Sequence, residues 1–139
     1  MNKKEIYDFM NQNSVAVIST VEDDKPHARY VWTVKTDEQG ILFHTGKMKD
    51  LFKQLSNNEN AEFCFSNNDR SVQIRVRGKV KPVEDPGIKK ELADKRPFLK
   101  DIEAKTGSLD FLSVFRMQEC QATVWTFESN LKPKDFISL

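Results

Sequence analysis

Residues 71–82 read SVQIRVRGKVKP. Val72, Ile74, Val76, Gly78 and Val80 alternate with Gln73, Arg75, Arg77, Lys79 and Lys81, so one set falls on each face of a β-strand. The same kind of reading extends outward in both directions. Residues 61–65 form a strand before the polar loop 66–70, and a turn at 82–87 follows the quoted stretch. Upstream, residues 15–21 are a β-branched run closed by a polar turn at 22–26, and residues 27–35 complete the hairpin. A turn at 36–40 leads to a short strand at 41–45, and the last strand spans 114–127, long enough to bend or bulge. Helical spacing appears at 2–13 (Ile6, Phe9, Met10), at 48–57 (Met48, Leu51, Phe52, Leu55) and at 88–106, interrupted at Pro97. Six strands with helices only at the start, the middle and after the fifth strand do not alternate as βαβ units. The expectation is a mainly β fold with peripheral helices, an antiparallel barrel.

The chain has 139 residues, enough for one domain with a core of its own, and a single domain over 1–139 is expected. Lys plus Arg number 22 against 21 Asp plus Glu, a net charge of +1 that argues against a dedicated nucleic-acid binder. Arg75, Arg77, Lys79 and Lys81 make a local basic row that reads either as a single-strand nucleic-acid surface or as a solvated sheet edge. The apolar runs 15–18 and 41–43 are far below a membrane span. Charges crowd residues 1–10 where a signal peptide needs an apolar stretch, so a cytoplasmic protein is expected. Cys64 and Cys120 lie far apart, with no CxxC and few histidines nearby. That pattern implies neither zinc nor a disulfide framework, and both read as buried free thiols.

Motifs for phosphate-loop, dinucleotide, nucleophile-elbow and zincin chemistry are missing. The two histidines, His27 and His44, fall in expected strands, either as strand-end polar residues or with a direct role. The segment 43–51, FHTGKMKDL, is more informative, because a strand ends, a glycine turns the chain, and a helix starts with Lys47 and Lys49 in its first turn. Lysine there opposes the helix macrodipole, unless an anion such as a phosphate sits among Thr45, the two ammonium groups and the free amides. The plainer alternative is two solvated lysines. Arg29 stands in a strand of bulky residues, where its fork suits phosphate oxygens or else a salt bridge across the sheet.

The order of these pieces resembles the pyridoxamine 5′-phosphate oxidase-like FMN-binding split-barrel family, in particular its short, nitroimidazole-resistance-type members. The resemblance runs over 15–83 in three stretches: VAVISTVEDDKPHARYVW, GILFHTGKMKDLFKQLSNNENAEFCF and VQIRVRGKVKPVED. It implies a six-stranded split barrel, a homodimer, and one FMN in each of two clefts at the subunit interface. By position, Arg29 matches the arginine that reaches the flavin phosphate and ribityl region, and the strand holding Tyr30, Val31 and Trp32 runs beside the ring. His44 and Thr45 match the strand-end pair beside the cofactor, and Lys49 and Lys47 the basic residues at the phosphate. Gln73 matches a glutamine that often comes from the second subunit, and Trp125 lies where the last strand approaches the cofactor. The turn 46–49 (GKMK) and the tail 129–139 depart from true pyridoxamine-phosphate oxidases, which implies a different substrate. The function implied is that of an FMN-dependent oxidoreductase reducing a small electrophile such as a nitro compound, quinone or dioxygen. The alternative is a carrier or sensor of flavin, haem or deazaflavin on the same barrel.

Overall fold

The computed structural model describes all 139 residues, Met1–Leu139. Helix α1 (Lys3–Gln12) precedes the hairpin β1 (Val15–Glu22) and β2 (Lys25–Trp32), and β3 (Lys35–Asp37) and β4 (Gly40–Gly46) form a second. Then come α2 (Asp50–Asn57), β5 (Asn60–Ser66), β6 (Val72–Pro82), α3 (Pro86–Lys95), α4 (Pro97–Thr106), β7 (Leu112–Thr126) and β8 (Ile137–Ser138). The strands join in the order β2-β1-β5-β6-β7-β4-β3, with β8 on β7, and every pairing is antiparallel.

Eight strands form where six were expected, because the stretch 27–35 is not one strand. β2 ends at Trp32, where the Thr33 amide donates to the Ser14 carbonyl at 2.9 Å and the Val34 amide to the Leu42 carbonyl at 2.8 Å. Within two residues the chain leaves its partner β1 and takes up β4. The two ends of the strand path, β2 and β3, are thus joined by residues 33–34, and the sheet curls round its core. The eighth strand is the short β8, which pairs Ile137 with Ala122.

Alternation decides which side chains fill that core. Ala16 and Ile18 of β1, Phe63 and Phe65 of β5, Ile74 and Val76 of β6, and Ile41 and Phe43 of β4 all point inward and are buried. The rings of Phe43 and Phe63 meet edge-on at 5.2 Å, and Phe63 lies 5.6 Å from Phe65. A smaller cluster, with Leu92, Leu99 and Leu112, seats α3 and α4 on the outside of the sheet. The bend expected in the last strand is real: Glu119 has φ +53°, and the register with β6 shifts between Arg77 and Lys79. β7 also passes so close to Gly40 that a Cβ there would sit 2.0 Å from the Met117 carbonyl oxygen. Only glycine fits that contact.

β6 is an interior strand between β5 and β7, so the basic row is not a sheet edge. Arg75 reaches Glu62 at 3.5 Å, Lys79 and Lys81 both pair with Glu59, and Arg77 donates to Gln121 at 3.0 Å. Cys120 is buried and Cys64 half-buried, and neither is in a disulfide. No helix is long and apolar enough to cross a membrane.

Candidate functional site

A cleft of about 610 Å³ lies along β2, bordered by the end of β4, the start of α2 and the junction of α3 with α4. Arg29 pairs in register with Ile18 and therefore faces the inner side of the sheet. There its Nη1 donates to Thr20 Oγ1 at 2.9 Å and its Nη2 to Gln54 Oε1, while the Thr20 hydroxyl donates to the same Gln54 oxygen at 2.6 Å. Thr20 and Gln54 are both buried, so the guanidinium is held by two neutral, fixed acceptors. Burial lowers the Arg29 pKa, and the nearby Asp50 acts against that shift. Lys49 is the N-cap of α2 and lies on the same cleft.

The other half of the cleft is built around Arg96. Proline at 97 disfavours a helical residue before it, so Arg96 is extended (φ −125°, ψ 92°) and separates α3 from α4. Its side chain turns back to the barrel. Nη1 donates to the Trp32 carbonyl at 2.9 Å and lies 2.7 Å from His44 Nε2, and Nη2 donates to the Thr33 carbonyl at 2.8 Å. The guanidinium carbon sits 3.7 Å from the centroid of the Trp32 ring, which stacks on Phe98 at 6.4 Å. None of the seven ion pairs in the chain involves Arg29, Lys49 or Arg96. Three cations therefore border one cleft against the single carboxylate of Asp50.

Burial, with Arg96 and then Lys49 adding like charge, lowers the His44 pKa from 6.5 to about 4. The unfolded chain takes up this proton near the ordinary value, whereas the folded chain refuses it until about pH 4. The resulting stability is complete above the unfolded value and declines as pH falls from there toward the folded one. Urea unfolding should show a loss of about 1–2 kcal/mol from this residue between pH 7 and pH 5. That share of the loss should disappear in His44→Asn.

Sequence comparison adds the family. Residues 3–118 match the family of pyridoxamine 5′-phosphate oxidase. The chain belongs to this family. A pyridoxine/pyridoxamine 5′-phosphate oxidase of Bradyrhizobium is 31% identical over 84 residues, 60% of this chain and 38% of that protein. The Rhizobium johnstonii enzyme of the same name is 27% identical over 85 residues, 61% of this chain and 41% of its own length. The chain thus spans about two fifths of the curated relatives it matches. Among solved structures, a NimC/NimA family protein of Clostridium acetobutylicum superposes with TM-score 0.77 at 23% identity, over 98% of this chain and 92% of that one. A pyridoxamine 5′-phosphate oxidase-related, FMN binding protein of Nostoc punctiforme gives 0.64 at 12% identity, over 96% and 88%. These likenesses establish the split-barrel fold of the pyridoxamine 5′-phosphate oxidase family.

Of the residues singled out in sequence, this member of the pyridoxamine 5′-phosphate oxidase family brings Arg29, Tyr30, Val31, Trp32, His44, Thr45 and Lys49 to one cleft. Lys47 is elsewhere. Its amide is tied to the Phe111 carbonyl at 2.8 Å, and it borders a separate cleft between α2 and residues 109–115. Neither lysine lies in the first turn of α2, which starts at Asp50. Gln73 and Trp125 face each other across β6 and β7, and neither borders the cleft. Sequence reading missed Gln54 and Arg96. Gln54 is a polar residue between Leu51 and Leu55 on the buried face of α2, and Arg96 directly precedes the proline that divides a helical run. Each carried a signal.

Proposed function

We propose that this chain binds FMN in the cleft, as a homodimer, and works as an oxidoreductase that reduces a small electrophile such as a nitro compound or a quinone. The observation that carries the reading is the set of Arg29, Lys49 and Arg96 on one cleft with no carboxylate in ion-pair contact. A phosphate monoester, carrying nearly two negative charges at neutral pH, fits Arg29 and Lys49 as donors, and Arg96, whose hydrogens go to Trp32, Thr33 and His44, adds positive charge to the cleft. Arg29 meets the anion already oriented by Thr20 and Gln54, so little side-chain freedom is lost on binding. Lys49 adds an ammonium where the first amides of α2 lack helical partners. Trp32 and Phe98 offer a planar apolar wall of the kind an aromatic ring system packs against. FMN, when bound, supplies hydride and single-electron chemistry. The residues of the chain bind, orient and screen, and no side-chain nucleophile with an adjacent base is found at the cleft.

Pairing of two chains is supported by exposed area. The chain leaves 8555 Å² accessible, against about 7,400 Å² for a compact monomer of this mass. Val15 of β1 and Trp32 of β2 are register partners on the outer face, and with Tyr30 they are exposed. Gln73 does not border its own chain's cleft, and in a dimer its contact with flavin would be made at the cleft of the second copy. The departures in the turn 46–49 and in the tail favour a substrate other than a B6 vitamer.

The test begins with a visible spectrum of the protein purified without added cofactor and again after FMN loading and desalting. Bound flavin reduced by NADH or NADPH and reoxidised by a nitroaromatic or quinone supports the proposal. Bound flavin without turnover would make the protein a carrier, and no bound flavin would end the flavin reading. Lys49→Ala should weaken FMN binding about tenfold, since one charge-assisted contact is lost from an exposed site. Lys47→Ala should change it by less than about twofold, because surface charges at a distance are screened. Equilibrium dialysis of the two variants decides between them.

A further inference from the structure

We infer that Arg96 is a positioning residue that fixes His44 as the neutral tautomer carrying its proton on Nδ1, so that the cleft is offered an imidazole N–H donor. A guanidinium has donors and no acceptor. Nη1 carries two hydrogens; one goes to the Trp32 carbonyl at 2.9 Å and the other to His44 Nε2 at 2.7 Å. Nε2 must therefore accept, and a neutral ring that accepts at Nε2 has its single hydrogen on Nδ1.

The guanidinium has no freedom to turn away. Nη2 is held by the Thr33 carbonyl at 2.8 Å, the plane lies on the Trp32 ring, and the residue is only 5% exposed. Nδ1, by contrast, has no hydrogen-bond partner in the chain and is not sealed from solvent, and His44 borders the cleft. The charged and titratable groups around the cleft are Arg96 from the α3–α4 junction, Lys49 and Asp50 from α2, and Arg29 and His27 from β2. Burial and the first two of these keep a second positive charge off the imidazole. An occupant is thus required to place an acceptor atom, a carbonyl oxygen or an unprotonated ring nitrogen, opposite Nδ1. An N–H at that point would be rejected. The tautomer is a property of the cofactor-free chain, and its use in binding rests on the flavin reading above.

The test uses the full chain without flavin, labelled with ¹⁵N-histidine, in two-bond ¹H–¹⁵N correlation spectra. The two histidines are told apart by His27→Gln. The expected His44 pattern is a protonated Nδ1 and a bare Nε2, constant from about pH 5.5 to about pH 8, the window in which free imidazoles titrate. In Arg96→Lys, whose ammonium cannot hold a flat fork against three acceptors, His44 should become a mixture of tautomers and titrate in that window. A proton on Nε2 in the unaltered protein, or titration there, would overturn the inference whether or not the variant folds. An unchanged pattern in a folded Arg96→Lys would overturn the role of Arg96. Separately, His44→Leu should lower FMN affinity about three- to tenfold, the worth of one neutral hydrogen bond. Undiminished affinity would remove Nδ1 from binding, and absence of FMN binding in the unaltered protein would count against the flavin reading alone.

Discussion

Arg29→Met should lower FMN affinity by about a hundredfold, the largest loss expected from any single change in the cleft. Its guanidinium is held by Thr20 and Gln54, and its other N–H groups have no hydrogen-bond partner in the chain. Hydrogen bonds to a charged partner contribute on the order of 1.5–3 kcal/mol, and a fork that makes two of them to one phosphate loses both on substitution. Methionine keeps an apolar stem of similar reach, and the Thr20–Gln54 hydrogen bond at 2.6 Å remains. The variant should therefore fold with little change in its urea midpoint. Titration of FMN into each protein, followed by flavin fluorescence, measures the ratio directly. An affinity within about threefold of the unaltered protein would mean that Arg29 serves the fold and not the ligand.

The second large effect concerns stability. Phe63→Ala should cost about 3–5 kcal/mol, the range for removing a fully buried aromatic ring. Phe63 is 0% exposed and touches two other rings, Phe43 and Phe65, at the centre of the barrel. Its neighbours sit on β4 and β5, strands held by β7 and by β1 and β6, so they cannot collapse into the space. Urea unfolding monitored by tryptophan fluorescence and by circular dichroism gives the value. A loss below about 1 kcal/mol would show that the three rings do not form one packed unit.

These two residues differ in how openly the sequence declares them. Phe63 sits in an alternating run, and alternation with period two is a direct consequence of strand geometry, so its inward position is legible from spacing alone. The same holds for Ile74 and Val76 and for the apolar stripe of α2. Arg29 was legible by contrast, as a charged residue among bulky ones. The strand count was not, because the break between β2 and β3 comes from a change of partner at Thr33 and Val34, not from a turn residue. Spacing also merged Lys47 with Lys49. A two-residue offset in a turn sends side chains to different clefts, and no periodicity describes a turn. Arg96 reaches Trp32, Thr33 and His44 across more than fifty residues of chain, a contact that only the closed fold creates. Its one local signal is the proline that follows it.

The central claim is that the cleft seats a phosphoryl group between Arg29 and Lys49. Parallel titrations of the unaltered protein with FMN and with riboflavin, which lacks only the phosphate, test it most directly. FMN should bind at least about a hundredfold more tightly, and raising the salt concentration should weaken FMN far more than riboflavin. Equal affinities for the two, insensitive to salt, would contradict it.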